Sequence, residues 1–185
     1  MNRVTQGEIP DDRLVLVGLG ANLPSAFGDP PATLLAALGR LQEAGVKIVR
    51  RSRFWRSEPV PVSDQPWFVN AVAVVETDLP PNRLLALLHE VEAAFGRVRS
   101  VVNAPRLLDL DLLAYGREIS ETDSPILPHP RLHQRAFVLM PLADIAPDWR
   151  HPASGQGVSA MIARLPPGQR IEPFPSGEKG SDMVS

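Results

Sequence analysis

The chain has 185 residues, a length that suits one domain and buries about 70% of the unfolded surface. Hydrophobic residues make up 44% and charged residues 22%, which excludes wholesale disorder, and a net charge of −2 leaves no basic coat for non-specific binding to nucleic acid or anionic membrane. There are no cysteines, so disulfide scaffolds, thiolate zinc sites, iron–sulfur clusters and cysteine nucleophiles are excluded and a reducing, cytoplasmic location is expected.

Met1 to Arg13 is polar, with Glu8, Asp11 and Asp12, and reads as an N-terminal tail rather than a signal peptide. No apolar run approaches the roughly 18 residues of a membrane helix, so no membrane partner is expected. Leu14 to Leu19 is a short β-branched run that predicts a buried strand, ended by Gly18, Gly20 and Asn22. Pro30 to Glu43 predicts a helix: Pro30 and Pro31 suit its first turn, Leu34, Leu38 and Leu41 share a face, and Gly45 suits the cap. Val46 to Ser57 reads as extended, and Glu58-Pro-Val-Pro61 is a rigid break. Phe68 to Thr77 is a second extended run. Pro80 and Pro81 open another helix with Leu84, Leu88, Val91 and Phe95 on one face, closed by Gly96. A strand across Leu107 to Tyr115 follows.

The order β-α-β-β-α-β predicts an α+β, ferredoxin-like sandwich: a mostly antiparallel sheet with both helices on one face. Residues 117–135 are loop-rich. Phe137 to Ala146 is a compact apolar stretch, and Val158 to Leu165 is weakly helical. The whole of 14–174 reads as one domain. The tail, residues 175–185, has almost nothing to bury and is expected to be disordered.

The segment Arg106-Leu-Leu-Asp109-Leu-Asp111-Leu carries the most chemistry. Side chains alternate along a strand, so Asp109 and Asp111 share one face, about 6.6 Å apart along the strand, and Leu108, Leu110 and Leu112 point into the core. Two such carboxylates repel unless a cation lies between them. Hard oxygen donors favour Mg²⁺, which takes one or two carboxylates and completes its shell with phosphate oxygens. The plain alternative is a solvated strand edge that happens to bear two acids. Arg97, Arg99 and Arg106 lie just upstream, around a proline-containing loop at Ser100 to Pro105, and suggest a polyphosphate clamp, or else surface ion pairs of little worth. His129, Arg131, His133, Arg135 and Phe137 crowd another proline-fixed loop. Asn70 stands inside an apolar strand, where a buried amide needs partners. It shares a face with Phe68, so the two could stack on and hydrogen-bond to a flat heterocycle. Glu92 lies beside the Val91 stripe, either a polar reader or a solvated helix residue.

The phosphate-binding G-x-x-x-x-G-K-[ST] loop, the dinucleotide fingerprint, the kinase motifs and the G-x-S-x-G elbow are all missing. An RNA-binding module shares the β-α-β-β-α-β order but needs aromatic strands on a basic sheet, and Leu14 to Leu19 has no aromatic.

Three blocks in order carry a family resemblance: Gly20-Ala-Asn22; Asp64-Gln65-Pro66 leading to Phe68-Val-Asn70-Ala; and Gly96-Arg-Val-Arg99, Ala104-Pro-Arg106, Leu108-Asp-Leu-Asp111, Pro128-His129, Arg135-Ala-Phe137 and Pro141-Leu142. From about Val15 to Pro147 the chain resembles the 6-hydroxymethyl-7,8-dihydropterin pyrophosphokinases of folate biosynthesis. The resemblance implies transfer of pyrophosphate from ATP to the hydroxymethyl group of the dihydropterin, with release of AMP, by a monomer that binds these two substrates and no nucleic acid. It implies that Asp109 and Asp111 hold two Mg²⁺ ions, with Arg97 and Arg106 beside them in the catalytic set. It implies ATP contacts from Glu92, Arg99, His129 and Arg135, and a pterin pocket of Ser57, Pro59, Val60, Phe68, Asn70 and Phe137. The chain departs from the common pattern at His89, where glutamine is usual, in a shorter Ser100–Pro105 loop without Trp or Lys, and at Pro130, where some members have an aromatic.

Overall fold

The computed structural model describes residues 10–96, 107–122 and 124–175. At its centre is β1 (Val15–Ala21), all seven residues of which are buried. A near-continuous apolar strand of this kind has both faces covered. β1 pairs antiparallel with β4 (Phe68–Glu76) on one side and with β5 (Asp109–Tyr115) on the other. Along the far edge of β4 lie β2 (Lys47–Arg51) and then β3 (Trp55–Ser57), both antiparallel to it. A last short strand, β6 (Ile171–Pro173), closes the edge against β3. The sheet order is β5-β1-β4-β3-β6, with β2 off the path on β4.

The expected extended run at 46–57 is therefore two strands. Ser52 makes the break: its N–H donates to Val72 O, and its hydroxyl donates to Arg53 O and accepts from Val72 N–H. A side chain that bonds nearby backbone in this way competes with the ladder.

The two predicted helices form where the sequence signals them. α1 (Pro30–Glu43) has Asp29 as its cap, accepting the Ala32 N–H at 3.0 Å, and Gly45 follows its end at φ 93°. This is the left-handed position that glycine takes without strain. α2 spans Pro81–Ala94. Leu34, Leu38 and Leu41 from α1, with Leu84, Leu88 and Val91 from α2, pack on one face of the sheet against Val17, Leu19, Ala73, Leu108, Leu110 and Leu112.

The second face is where the structure adds to the sequence reading. The compact stretch folds as α3 (Ala136–Ile145) and the weakly helical one as α4 (Val158–Ala163). They cover Leu16, Val72, Val74 and Leu113 together with the buried Trp149. The antiparallel sheet and the placement of the two predicted helices on one face are as expected. The sandwich is covered on both faces, and an extra edge strand appears at 171–173.

Candidate active site

Helix α3 covers only part of its sheet face. Beyond the N-terminal end of the helix the sheet is open, and a cleft of about 960 Å³, mouth included, lies over β1, β4 and β5. Strand register decides what faces it. Asn70, Gly20 and Asp109 stand in one row across β4, β1 and β5; Val72, Gly18 and Asp111 stand in the next. Residues paired across strands share a face. Asp109 and Asp111 thus reach the cleft together, while Leu108, Leu110 and Leu112 enter the opposite core, as the alternation predicts.

Between the carboxylates and Asn70 the floor is bare backbone, because β1 supplies Gly18 and Gly20 there. A methyl group at Gly20 would sit 3.3 Å from Asn70 Oδ1, and one at Gly18 would sit 3.3 Å from Leu113 Cδ1. The glycines end no strand; they keep one smooth. Leu113 is left unpaired at a bulge in β5; by the same alternation as Asp109 and Asp111 it stands on the cleft's face of the sheet, where it packs with Leu16 and Val72 beyond the floor.

Asn70 is 4% exposed, and its Nδ2 donates to Ser57 Oγ at 2.8 Å. Its partner is a side chain of the cleft wall, not the backbone of a neighbouring loop. Ser57 is in register with Phe68, and Pro59 and Val60 continue the wall, with Val60 at the exposed lip. Phe137 comes from the first turn of α3, and the Arg135 guanidinium lies 5.3 Å from its ring centre. Asn22 ties the loop after β1 to the loop before β4, donating to Gln65 Oε1 at 3.1 Å and to Pro66 O at 3.2 Å.

Glu92 is neither solvated nor in the cleft. It is 1% exposed on α2, and its Oε1 accepts the Leu110 N–H at 3.1 Å. Leu110 lies between the two aspartates on an edge strand, so Glu92 holds the strand from beneath at the point where the carboxylates project. His129 is not part of the cleft wall, but its ring feels Asp109. Burial and the cations of Arg135 and Arg131 push its pKa down to about 4. Its Nδ1 accepts the Arg131 N–H at 3.2 Å, so the neutral ring carries its proton on Nε2. His89 is exposed on α2. Arg97, Arg99, Arg106 and the Ser100–Pro105 loop lie outside the described residues. The candidates brought together are therefore Ser57, Pro59, Val60, Phe68, Asn70, Asp109, Asp111, Arg135 and Phe137. The glycine floor and Gln65 on the wall are not among the residues that the sequence motifs single out for the site; paired glycines at alternate positions of a strand are the available signal.

A sheet face with a carboxylate pair at one end and an amide beside aromatic rings at the other suits a transferase that handles a phosphate chain and a flat polar ring. The family profile described as 7,8-dihydro-6-hydroxymethylpterin-pyrophosphokinase (HPPK) matches residues 16–147. The chain is 41% identical to a 2-amino-4-hydroxy-6-hydroxymethyldihydropteridine pyrophosphokinase of Methylorubrum extorquens, over 84% of this chain and 97% of that one. It is 41% identical to the protein of the same description from Pseudomonas aeruginosa, over 82% of this chain and 91% of that one. It is also 38% identical to the folic acid synthesis protein of Pneumocystis carinii, of which it spans 20%. Among solved structures, a Plasmodium falciparum HPPK-DHPS superimposes with a TM-score of 0.61 at 13% identity, over 82% of this chain and 43% of that one, a likeness of fold. The chain belongs to the HPPK family. It is a diphosphotransferase that moves pyrophosphate onto a hydroxymethyldihydropterin.

Proposed function

We propose that the cleft binds the pterin at its Asn70 end and the ATP triphosphate at its Asp109 end, and that the hydroxymethyl oxygen attacks the β-phosphorus in line. A bond forms from that oxygen to the β-phosphorus, the bond from the β-phosphorus to the bridging oxygen of the α-phosphate breaks, the hydroxyl proton passes to solvent, and AMP leaves. The product feeds folate biosynthesis. The observation that carries this reading is the row Asn70–Gly20–Asp109, which aligns a ring-reading amide and a carboxylate across one side-chain-free strip of sheet.

Phe68 and Phe137 are the two faces of the ring's slot, and Asn70 reads its polar edge. Because Nδ2 is engaged by Ser57, Oδ1 lies over the bare floor, where it can accept ring or amino N–H groups. Pro59 and Val60 shield the outer edge. In this reading Arg135, on the cleft wall, and the Nε2–H of His129 meet phosphate oxygens, and Arg97, Arg99 and Arg106 are assigned to the phosphates by the family resemblance. Glu92 serves the ATP half by fixing the strand that bears the carboxylates.

Asp109 and Asp111 fit Mg²⁺ on the chemistry of their donors: hard oxygens on one face, and no group of three or more His, Cys, Asp or Glu among the described residues that would build a closed cage. Such a pair leaves positions for phosphate oxygens and water, as Mg²⁺ prefers, and suits two ions. Bound there, Mg²⁺ neutralises triphosphate charge and polarises the β-phosphate. The rest is positioning by the chain's own groups, which dominates in reactions of this kind.

The same reading makes the β-α-β-β-α-β core ferredoxin-like, supported by the order β5-β1-β4 with β2 and β3 beyond. It takes 14–174 as the catalytic domain between two tails, acting as a cytoplasmic monomer. No helix among the described residues is long and apolar enough to cross a membrane. An AMP-release assay with ATP, Mg²⁺ and 6-hydroxymethyl-7,8-dihydropterin, each omitted in turn, tests the whole. AMP only with all three, and a pyrophosphorylated pterin by mass spectrometry, is the expected result. AMP without the pterin overturns the acceptor assignment.

A further inference from the structure

The segment after α4 lies beyond the family match, which ends at residue 147, yet it touches both walls of the cleft. Gln169 reaches the entry of α3. Its Oε1 accepts the Ala136 N–H at 2.8 Å, and its Nε2 donates to Gln134 O at 2.9 Å and to Pro166 O at 3.4 Å. Arg135, the residue at the cap of that helix, makes no side-chain capping bond, so the cap comes from 33 residues away. The next residue, Arg170, accepts the Glu58 N–H on its carbonyl at 3.0 Å. The one after, Ile171, pairs with Ser57. Three consecutive residues therefore hold the Phe137 side and the Ser57–Val60 side. Adjacent Cα atoms are about 3.8 Å apart and cannot stretch. The segment is fastened further along: Glu172 pairs with Arg56, the Arg170 and Arg56 guanidinium groups lie 5.2 and 5.5 Å from the Trp67 ring centre, and the Phe174 N–H donates to Phe54 O at 2.9 Å.

We infer that residues 169–174 are a strap that sets the width of the ring slot, with Gln169 as its positioning residue. The inference rests on the assignment of Phe137 and Ser57 to the pterin pocket. Its mechanism is mechanical. Without the Gln169 bonds the first turn of α3 is free to shift relative to β3, and an aromatic sandwich loses contact steeply with such a shift. Asp109 and Asp111, on β5 at the other edge of the sheet, are untouched by the strap; of the groups assigned to the phosphates it holds only Arg135, between Gln134 and Ala136.

The test is calorimetric titration of the full chain and of its Gln169→Ala, Gln169→Glu and Phe137→Ala variants with 6-hydroxymethylpterin, and separately with a non-hydrolysable ATP analogue and Mg²⁺. Gln169→Ala is expected to weaken pterin binding about tenfold, the scale of two lost hydrogen bonds, and the ATP analogue, which loses only the placing of Arg135, by about threefold at most. Gln169→Glu keeps the acceptor for Ala136 and loses the donor to Gln134, so it falls between. Parallel loss for both ligands overturns the strap, because a merely structural role moves both. Unchanged pterin affinity in both Gln169 variants, with affinity lost in Phe137→Ala, also overturns it. Unchanged pterin affinity in Phe137→Ala instead removes the pocket assignment beneath it. If Gln169→Ala does not fold, the Gln169→Glu pair of affinities decides by the same split.

Discussion

One face of the sheet has two halves built from the same three strands. In the closed half β1, β4 and β5 present Leu16, Val72, Val74 and Leu113, which α3 and α4 bury. In the open half the same strands, a residue pair further along, present Gly18, Gly20, Asn70, Phe68, Asp109 and Asp111. Backbone geometry does not distinguish them; side-chain size and polarity do. Where the face is apolar and bulky it recruits a helix, since burial of each such side chain is worth about 1.5–3 kcal/mol. Where it is glycine, amide and carboxylate, a covering helix would gain no apolar contact and would desolvate charge, which costs several kcal/mol per ion. The cleft exists because the pattern changes character along a strand.

The sharpest break of that comparison is at the acids. Asp109→Ala and Asp111→Ala are each expected to lower kcat by about a thousandfold or more, the scale set by removing charge stabilisation in transfers of this type. Thermal melts should show no loss of fold, because both side chains leave the open half, not a core. The mirror experiment is Leu113→Ala in the closed half. It should cost about 2–5 kcal/mol in denaturant melts, while Michaelis constants in the surviving folded protein stay near wild type. Wild-type turnover in either aspartate variant, or a stable Leu113→Ala, would erase the distinction between the halves.

At the glycine floor the two halves meet. Gly20→Ala puts a methyl group 3.3 Å from Asn70 Oδ1, so the amide must give way. The pterin KM should rise about tenfold, the scale of one buried hydrogen bond made badly, with the ATP KM nearly constant. Steady-state kinetics with each substrate varied in turn reads the split, and equal shifts would mean the floor serves both ligands. Phe137→Ala sharpens the same end: a lost ring stack is worth about 1–3 kcal/mol by the measure of aromatic–base stacking, which appears in pterin affinity and not in ATP affinity.

What could be read without coordinates follows the same line. Period-two alternation puts Asp109 with Asp111, and Asn70 with Phe68, whatever their partners, so local pattern alone reaches those groupings. The helices α1 and α2 announce themselves by apolar spacing and by prolines at their starts. α3 does not, because Phe137 to Leu142 is apolar all round and contains Pro141, so no period marks a face. Gly18 and Gly20 look like strand terminators until their cross-strand neighbours are known. Glu92 sits next to a core stripe, and only the edge position of β5 shows that its carboxylate answers a strand N–H. Gln169 and β6 are illegible for a deeper reason: the partners that matter, Ala136 and Gln134 for Gln169 and β3 for β6, are more than thirty residues away, and three residues carry too little pattern to declare a strand.

The smallest effect compares the two halves by pH. His151 packs beside Trp149 in the closed half, its Nδ1 accepting the Ala153 and Ser154 N–H groups at 3.2 Å each. Burial, with His133 nearby, lowers its pKa below 6.5. His129, by the open half, is lowered to about 4 by burial and two arginines. In both cases the unfolded chain binds more protons than the folded one just below pH 6.5, so stability rises with pH there. Their favourable neutral state is complete above the unfolded pKa and is lost as pH falls, fully once the folded pKa is passed. Melts taken between pH 7 and pH 4 should therefore show falling stability. His151→Asn keeps an acceptor for the two N–H groups and cannot titrate, so it should flatten part of the slope and leave the His129 part. A slope unchanged by His151→Asn would mean that His151 contributes nothing to the acid sensitivity of the closed half.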